Sequence, residues 1–150
     1  MPRYDKYDPI NGGFRAALAA DLTFDATGQF GPIGVSLDAN GRVVVGMGGQ
    51  AGGVGILVKN VPLSPNLGSI AGAVQATVPI GGKAGNIVDI MTSGEIILDG
   101  AGLAAGTIYY CNAGTGALET TAPGAGVNKY KAGFTVEATR LVVRFQQVQG

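Results

Sequence analysis

After Pro32 the chain reads as short hydrophobic strand-like runs separated by turn residues. Ile33-Gly34-Val35-Ser36-Leu37 alternates cleanly, Asp38-Ala39-Asn40-Gly41 supplies a turn, and Arg42-Val43-Val44-Val45 returns, which predicts a β-hairpin. Val54 to Lys59 predicts a third strand. Further strands are expected at Ala73 to Val78, Asn86 to Met91, Glu95 to Leu98, Thr107 to Cys111 and Leu141 to Val148. Asn112-Ala113-Gly114-Thr115-Gly116 is a second strong turn, leading into Ala117 to Thr121. No helical pattern of crossover length separates these segments, so a parallel sheet is disfavoured. The expected fold is mainly all-β: a small β-barrel or β-sandwich of eight or nine short strands.

The first thirty residues differ. They hold Tyr4, Tyr7, Phe14, Phe24 and Phe30, half of the aromatic residues, without strand alternation. Phe14, Leu18 and Leu22 fall at i, i+4 and i+8 after Asn11-Gly12-Gly13, which predicts one or two helical turns. A helix that short must dock on something to persist. The segment before it, with Asp8-Pro9, reads as an extended arm. The expected organisation is an N-terminal arm over residues 1–30 with at most one short helix, followed by a single β-rich domain over residues 31–150.

Composition narrows the function. Only 13% of the 150 residues are charged, about half the usual share, and ten basic residues balance ten acidic ones. A surface so poor in charge must leave small apolar and hydroxyl side chains facing outward or cover them against a partner. Zero net charge also removes the repulsion that keeps copies apart. With no basic stripe to meet a phosphate backbone, nucleic-acid binding is not expected. The charge-free stretches Val61 to Gly82 and Gly100 to Leu118 are too broken by proline, glycine, Asn and Gln for membrane helices. The N-terminus, Met1-Pro2-Arg3-Tyr4-Asp5-Lys6, does not read as a signal peptide.

Candidate chemistry is sparse. Val43-Val44-Val45-Gly46-Met47-Gly48-Gly49-Gln50-Ala51 matches a strand followed by a dinucleotide fingerprint, but that motif needs a helix to open at its last glycines. Gly52 to Val58 reads as another strand, so a glycine-rich loop between strands is the better account. Gly81-Gly82-Lys83-Ala84 resembles a phosphate loop only faintly, with Thr77 in place of the first glycine and Ala84 in place of the hydroxyl. Asp89, Glu95 and Asp99 are the nearest acidic trio, and strand edges and turns explain them without catalysis. The chain has no His and a single Cys, Cys111, which is expected to pack as a small hydrophobe. Neither an enzyme, a cofactor nor a metal site is expected.

Asn86-Ile87-Val88-Asp89-Ile90-Met91-Thr92-Ser93-Gly94-Glu95-Ile96 resembles a stretch of tailed-phage head decoration (capsid cement) proteins. Ala104 to Tyr110, Gly116 to Pro123 and Lys131 to Arg144 fit the same pattern, so the resemblance covers roughly residues 50 to 148. Glu119 departs from it, standing where a small polar residue is expected, and residues 1–30 match nothing in the family. The resemblance implies a structural protein on the outer surface of the virion, made in the host cytoplasm. It would bind the major capsid protein and copies of itself, often as a homotrimer, and have no active site. On this reading Tyr4, Tyr7, Ile10 and Phe14 are candidate capsid-interface anchors on the arm. The competing reading is a β-sandwich binding module for glycans or host surfaces, for which Tyr109-Tyr110 is the candidate platform; alternation would turn one of the two rings inward.

Overall fold

A computed structural model describes residues 2–6, 12–22, 32–57, 83–98, 103–126 and 128–150. Eleven strands form among them: β1 (Pro2–Lys6), β2 (Gly13–Ala17), β3 (Ile33–Leu37), β4 (Val43–Val45), β5 (Gly53–Leu57), β6 (Ile87–Met91), β7 (Ser93–Leu98), β8 (Ile108–Cys111), β9 (Leu118–Glu119), β10 (Asn128–Glu137) and β11 (Arg140–Gln149). They make two antiparallel sheets, one of six strands in the order β1-β7-β11-β10-β8-β9 and one of five in the order β2-β6-β5-β3-β4. The architecture is all-β, and the sheets pack as a sandwich rather than closing into one barrel.

The predicted hairpin forms as β3 and β4. Asp38 holds its turn: Oδ1 accepts from the Asn40 and Arg42 amides at 2.8 and 2.9 Å, while Gly41 supplies the left-handed residue at φ +73°. The second predicted turn works the same way. Asn112 Oδ1 accepts from the amides of Gly114 and Thr115, each at 3.0 Å. The strands expected around Val54, Asn86, Glu95, Thr107, Ala117 and Leu141 form as β5 to β9 and β11, with ends shifted by a few residues. The strand expected at Ala73 to Val78 lies outside the described residues.

Two expectations change. The helical spacing of Phe14, Leu18 and Leu22 does not produce a helix: Gly13–Ala17 is β2, which pairs with β6 in the register Phe14↔Ile90 and Ala16↔Val88. Phe14, Ala16 and Leu18 also satisfy a period of two, and a ladder of main-chain bonds with β6 outweighs a helix too short to hold itself. The second change is β10, a ten-residue strand that the alternation had not marked because lysines and Gly133 interrupt it. It pairs with β11 along a long hairpin whose register shifts between Lys131 and Gly133. A side chain at Gly133 would run into the Val142 carbonyl, so only glycine lets the strands meet there.

Two clusters make the core. Between the sheets lie Ile96, Tyr109, Cys111, Ala132, Leu141 and Val143 from one side and Ile56 and Met91 from the other, with Met47 from the loop after β4. The second cluster, Leu18, Val35, Val43, Leu57, Val88 and Ile90, occupies the opposite face of the five-stranded sheet. That sheet curls around it until its two edges touch: Leu18 bridges to Val43, and the Ala19 amide donates to the Val43 carbonyl at 2.9 Å.

Backbone meets backbone where the sheets join. The Gly34 amide donates to the Gly116 carbonyl at 2.7 Å, the Gly46 amide to the Gly34 carbonyl at 3.0 Å, and the Met47 amide to the Ala113 carbonyl at 2.9 Å. A Cβ on Gly34 would stand 2.6 Å from Met47 Cε and 2.8 Å from Cys111 Sγ. Gly34 to alanine therefore overpacks the joint and should cost about 2–3 kcal/mol. Gly48, in the same loop with open space around it, should tolerate alanine within about 0.5 kcal/mol. Equilibrium urea unfolding of the two variants checks this, and equal midpoints would refute the close-approach account.

Candidate functional site

The face of the six-stranded sheet turned away from the core is the most informative surface on the molecule. Ile96, Leu141, Val143, Tyr109 and Cys111 point inward, so strict alternation sends their neighbours outward. One outward row crosses four adjacent strands: Glu95, Val142, Phe134 and Ile108 stand in register from β7 to β8. Val136 lies beside it on β10. Ile108 is 44% and Val136 47% exposed, and Phe134 and Val142 are half-buried. An antiparallel sheet that shows one face to water normally alternates polar residues onto that face. Here the centre of the face is apolar and the charges stand around it. Arg144 lies over the Phe134 ring with Cζ 6.0 Å from the centroid, within range for a cation–π contact. Covering the exposed halves of Ile108 and Val136 would contribute on the order of 1 kcal/mol each.

One edge of this face is pinned by a polar cluster. Lys129 Nζ donates to Glu119 Oε1 at 2.5 Å and to the Thr121 carbonyl at 2.7 Å, and Asn112 Nδ2 donates to Glu119 Oε2 at 3.1 Å. These bonds tie the short β9 to β10, and they explain why a carboxylate stands at position 119. The hydrogen bond from Lys129, then that from Asn112, holds the Glu119 carboxyl below its ordinary value. Beneath it, burial and then the Glu119 charge push the Cys111 thiol up to about 12, so the thiol is inert packing.

The remaining residues singled out in the sequence fall apart in space. Tyr4 belongs to β1, which pairs with β7 in the register Arg3↔Ile97 and Lys6↔Glu95. Tyr7 and Ile10 lie outside the described residues. Phe14 sits in β2, half-buried against the chain's own second core cluster. Of the acidic trio, Asp89 pairs with Arg15 at 2.6 Å across β2 and β6, Glu95 is exposed on the other sheet, and Asp99 lies outside the described residues. Lys83 pairs with Asp21 at 3.1 Å, and the Ala84 amide donates to the same carboxylate at 2.8 Å. The glycine run after β4 leads into β5, a strand, as expected. Tyr109 is buried and Tyr110 half-buried on the outer face, so the tandem tyrosines do not make a paired platform. Among the described residues no group of three His, Cys, Asp or Glu side chains could hold a metal ion, and no helix is long and apolar enough to cross a membrane.

The sequence reading missed Ile108, Phe134, Val136 and Val142. Their signal is a register rather than a motif: the apolar residues of β10 and β11 occur on both faces, and only the strand pairing shows which set faces out.

Comparison with known proteins is narrow. No family model and no curated protein matches the chain. A solved structure from Mycobacterium phage Patience superposes with a TM-score of 0.72 at 20% identity, covering 99% of this chain and 98% of that one. The likeness establishes a shared fold over essentially the whole of both chains.

The Glu119 cluster makes a pH prediction. A carboxyl held below its unfolded value contributes stability that is present above that value and lost as pH falls through the lowered one. Glu119 to glutamine should cost about 1 kcal/mol at pH 7, and the difference from wild type should shrink as pH falls below the ordinary glutamate range. Urea unfolding across an acid series measures it; a deficit that does not change with pH would show that the charge is not what matters.

Proposed function

We propose that this chain is a structural virion protein that decorates the outer surface of a tailed-phage capsid and stabilises it by binding the major capsid protein. The observation that carries this reading is the shared fold with a protein of Mycobacterium phage Patience over 99% of this chain and 98% of that one. The sequence resemblance to head decoration proteins points the same way from independent grounds. The molecule's surface fits the role: few charges to desolvate, zero net charge, and an apolar sheet face exposed around Ile108 and Val136.

On this proposal the outer face of the six-stranded sheet is the surface that meets the shell, with Phe134 and Val142 at its centre. Tyr4, Tyr7 and Ile10 are proposed as additional contacts. Phe14 is left out of that set because its ring packs on the chain's own core. Repetition over a shell lets modest single contacts add by avidity.

Sedimentation with shells assembled from the major capsid protein of the same genome tests the proposal. Wild type should pellet at a fixed saturating ratio. Ile108 to lysine combined with Val136 to lysine should weaken pelleting at least tenfold while leaving the fold intact, since both side chains are already about half exposed. A wild-type protein that stays in the supernatant would overturn the reading. A double variant that pellets like wild type would remove this face from it.

A further inference from the structure

The cluster that fastens β9 to β10 brings an amine and an amide onto the two oxygens of one carboxylate. Lys129 Nζ donates to Glu119 Oε1 at 2.5 Å, and Asn112 Nδ2 donates to Glu119 Oε2 at 3.1 Å. The fold sets these side chains together. β10 pairs with β8 in the register Tyr130↔Cys111, and one step further Lys129 comes level with Asn112, just past β8. Cys111 and Tyr130 turn toward the core, so alternation sends Asn112 and Lys129 to the outer side. Glu119 arrives from β9, which lies on the other side of β8. Position 119 is also where the chain departs from the decoration-protein pattern, with a carboxylate in place of a small polar residue.

The Asn112 carboxamide is polarised as well. Its Oδ1 accepts from the amides of Gly114 and Thr115, each at 3.0 Å. Two backbone donors on one carbonyl oxygen stabilise the negative charge that builds there when a nucleophile attacks its carbon. An amine, a carboxylate bridging it to the amide nitrogen, and paired donors on the amide oxygen are the parts of an acyl transfer. We propose that Lys129 Nζ attacks Asn112 Cγ and forms an isopeptide bond between β10 and the turn after β8, releasing ammonia.

The step balances without any other reactant. Glu119 first takes one proton from the Lys129 ammonium, and the lone pair of the neutral amine attacks Cγ. The carbonyl electrons move onto Oδ1, facing the Gly114 and Thr115 amides. As this intermediate collapses, Glu119 gives its proton to Nδ2 and takes the second one from Nζ, and the Cγ–Nδ2 bond breaks. Ammonia carries the last proton away as ammonium, which restores the carboxylate; nothing is oxidised or reduced. Only 17% of the Lys129 side chain and 27% of the Glu119 side chain meet solvent, which favours passage of the proton within the pair. The ion pair precedes the bond, so the product accumulates as the folded protein stands. With a single cysteine the chain has no internal disulfide, and this bond closes the loop from 112 to 129 much as a disulfide would. It stands without any capsid.

Intact-mass spectrometry of the purified full chain, sampled through a prolonged incubation, tests it. Wild type should become lighter by one ammonia, and its digest should contain Lys129 and Asn112 in one branched peptide. Lys129→Arg keeps a cation beside Glu119 but offers no nucleophile, so it should hold its full mass. Glu119→Gln cannot take the proton, and the bond should form about a hundredfold more slowly. The branched peptide is read on wild type, so it decides the matter even should a variant fail to fold. Wild type that keeps its full mass, or a digest without that peptide, would overturn the proposal. So would an ammonia loss that persists in Lys129→Arg, because the exposed Asn40-Gly41 turn can lose ammonia by closing on its own backbone. A bond that forms equally fast in Glu119→Gln would overturn the role given to that carboxylate.

Discussion

The close approach of two backbones at Gly34 is the constraint on which the rest of the molecule depends. β3 lies against the turn after β8 with no side chain between them, and the amide and carbonyl of Gly34 bind Gly116 and Gly46 on either side. Because those main-chain groups are satisfied within the joint, burying them costs little. Met47 and Cys111 fill the space that a side chain at Gly34 would take. The joint sets how the five-stranded sheet faces the six-stranded one, and therefore which residues of β7, β8, β10 and β11 are spent on the core. What is left over on those strands is the outer face.

That face gives the composition a structural meaning. A chain with 13% charged residues cannot coat itself evenly with charge, and the structure shows where the shortage falls. Along β10 and β11, apolar side chains serve both faces of one sheet: Leu141 and Val143 inward, Val142 and Phe134 outward. The few polar residues stand at the margins, where Glu119, Lys129 and Asn112 fasten β9 and Arg144 shields one side of Phe134.

Much of the fold was legible in the sequence because turns and alternation are local. Asp38 and Gly41, or Asn112 and Gly116, announce their turns through side chains that bind the next amides, and the strands on either side follow. Where local and non-local demands diverged, the local reading failed. Phe14, Ala16 and Leu18 satisfy two periods at once, and only the presence of β6 decides between them. β10 is hidden by its lysines and by Gly133, whose role is visible only beside Val142. The outer face was illegible for the same reason: which side of β8 or β11 faces water depends on the other sheet. Three of the four arm residues, Tyr4, Tyr7 and Phe14, stand out in the sequence as N-terminal aromatics, and Phe14 shows how an aromatic of that kind can belong to the core instead.

Side-chain footprinting by hydroxyl radicals, free and bound to shells, tests the central claim most directly. The account predicts that Ile108, Phe134, Val136 and Tyr110 lose labelling on the shell, while Ile87, 65% exposed on the other sheet, labels as before. Protection of Ile87 with undiminished labelling of Ile108 and Val136 would contradict it.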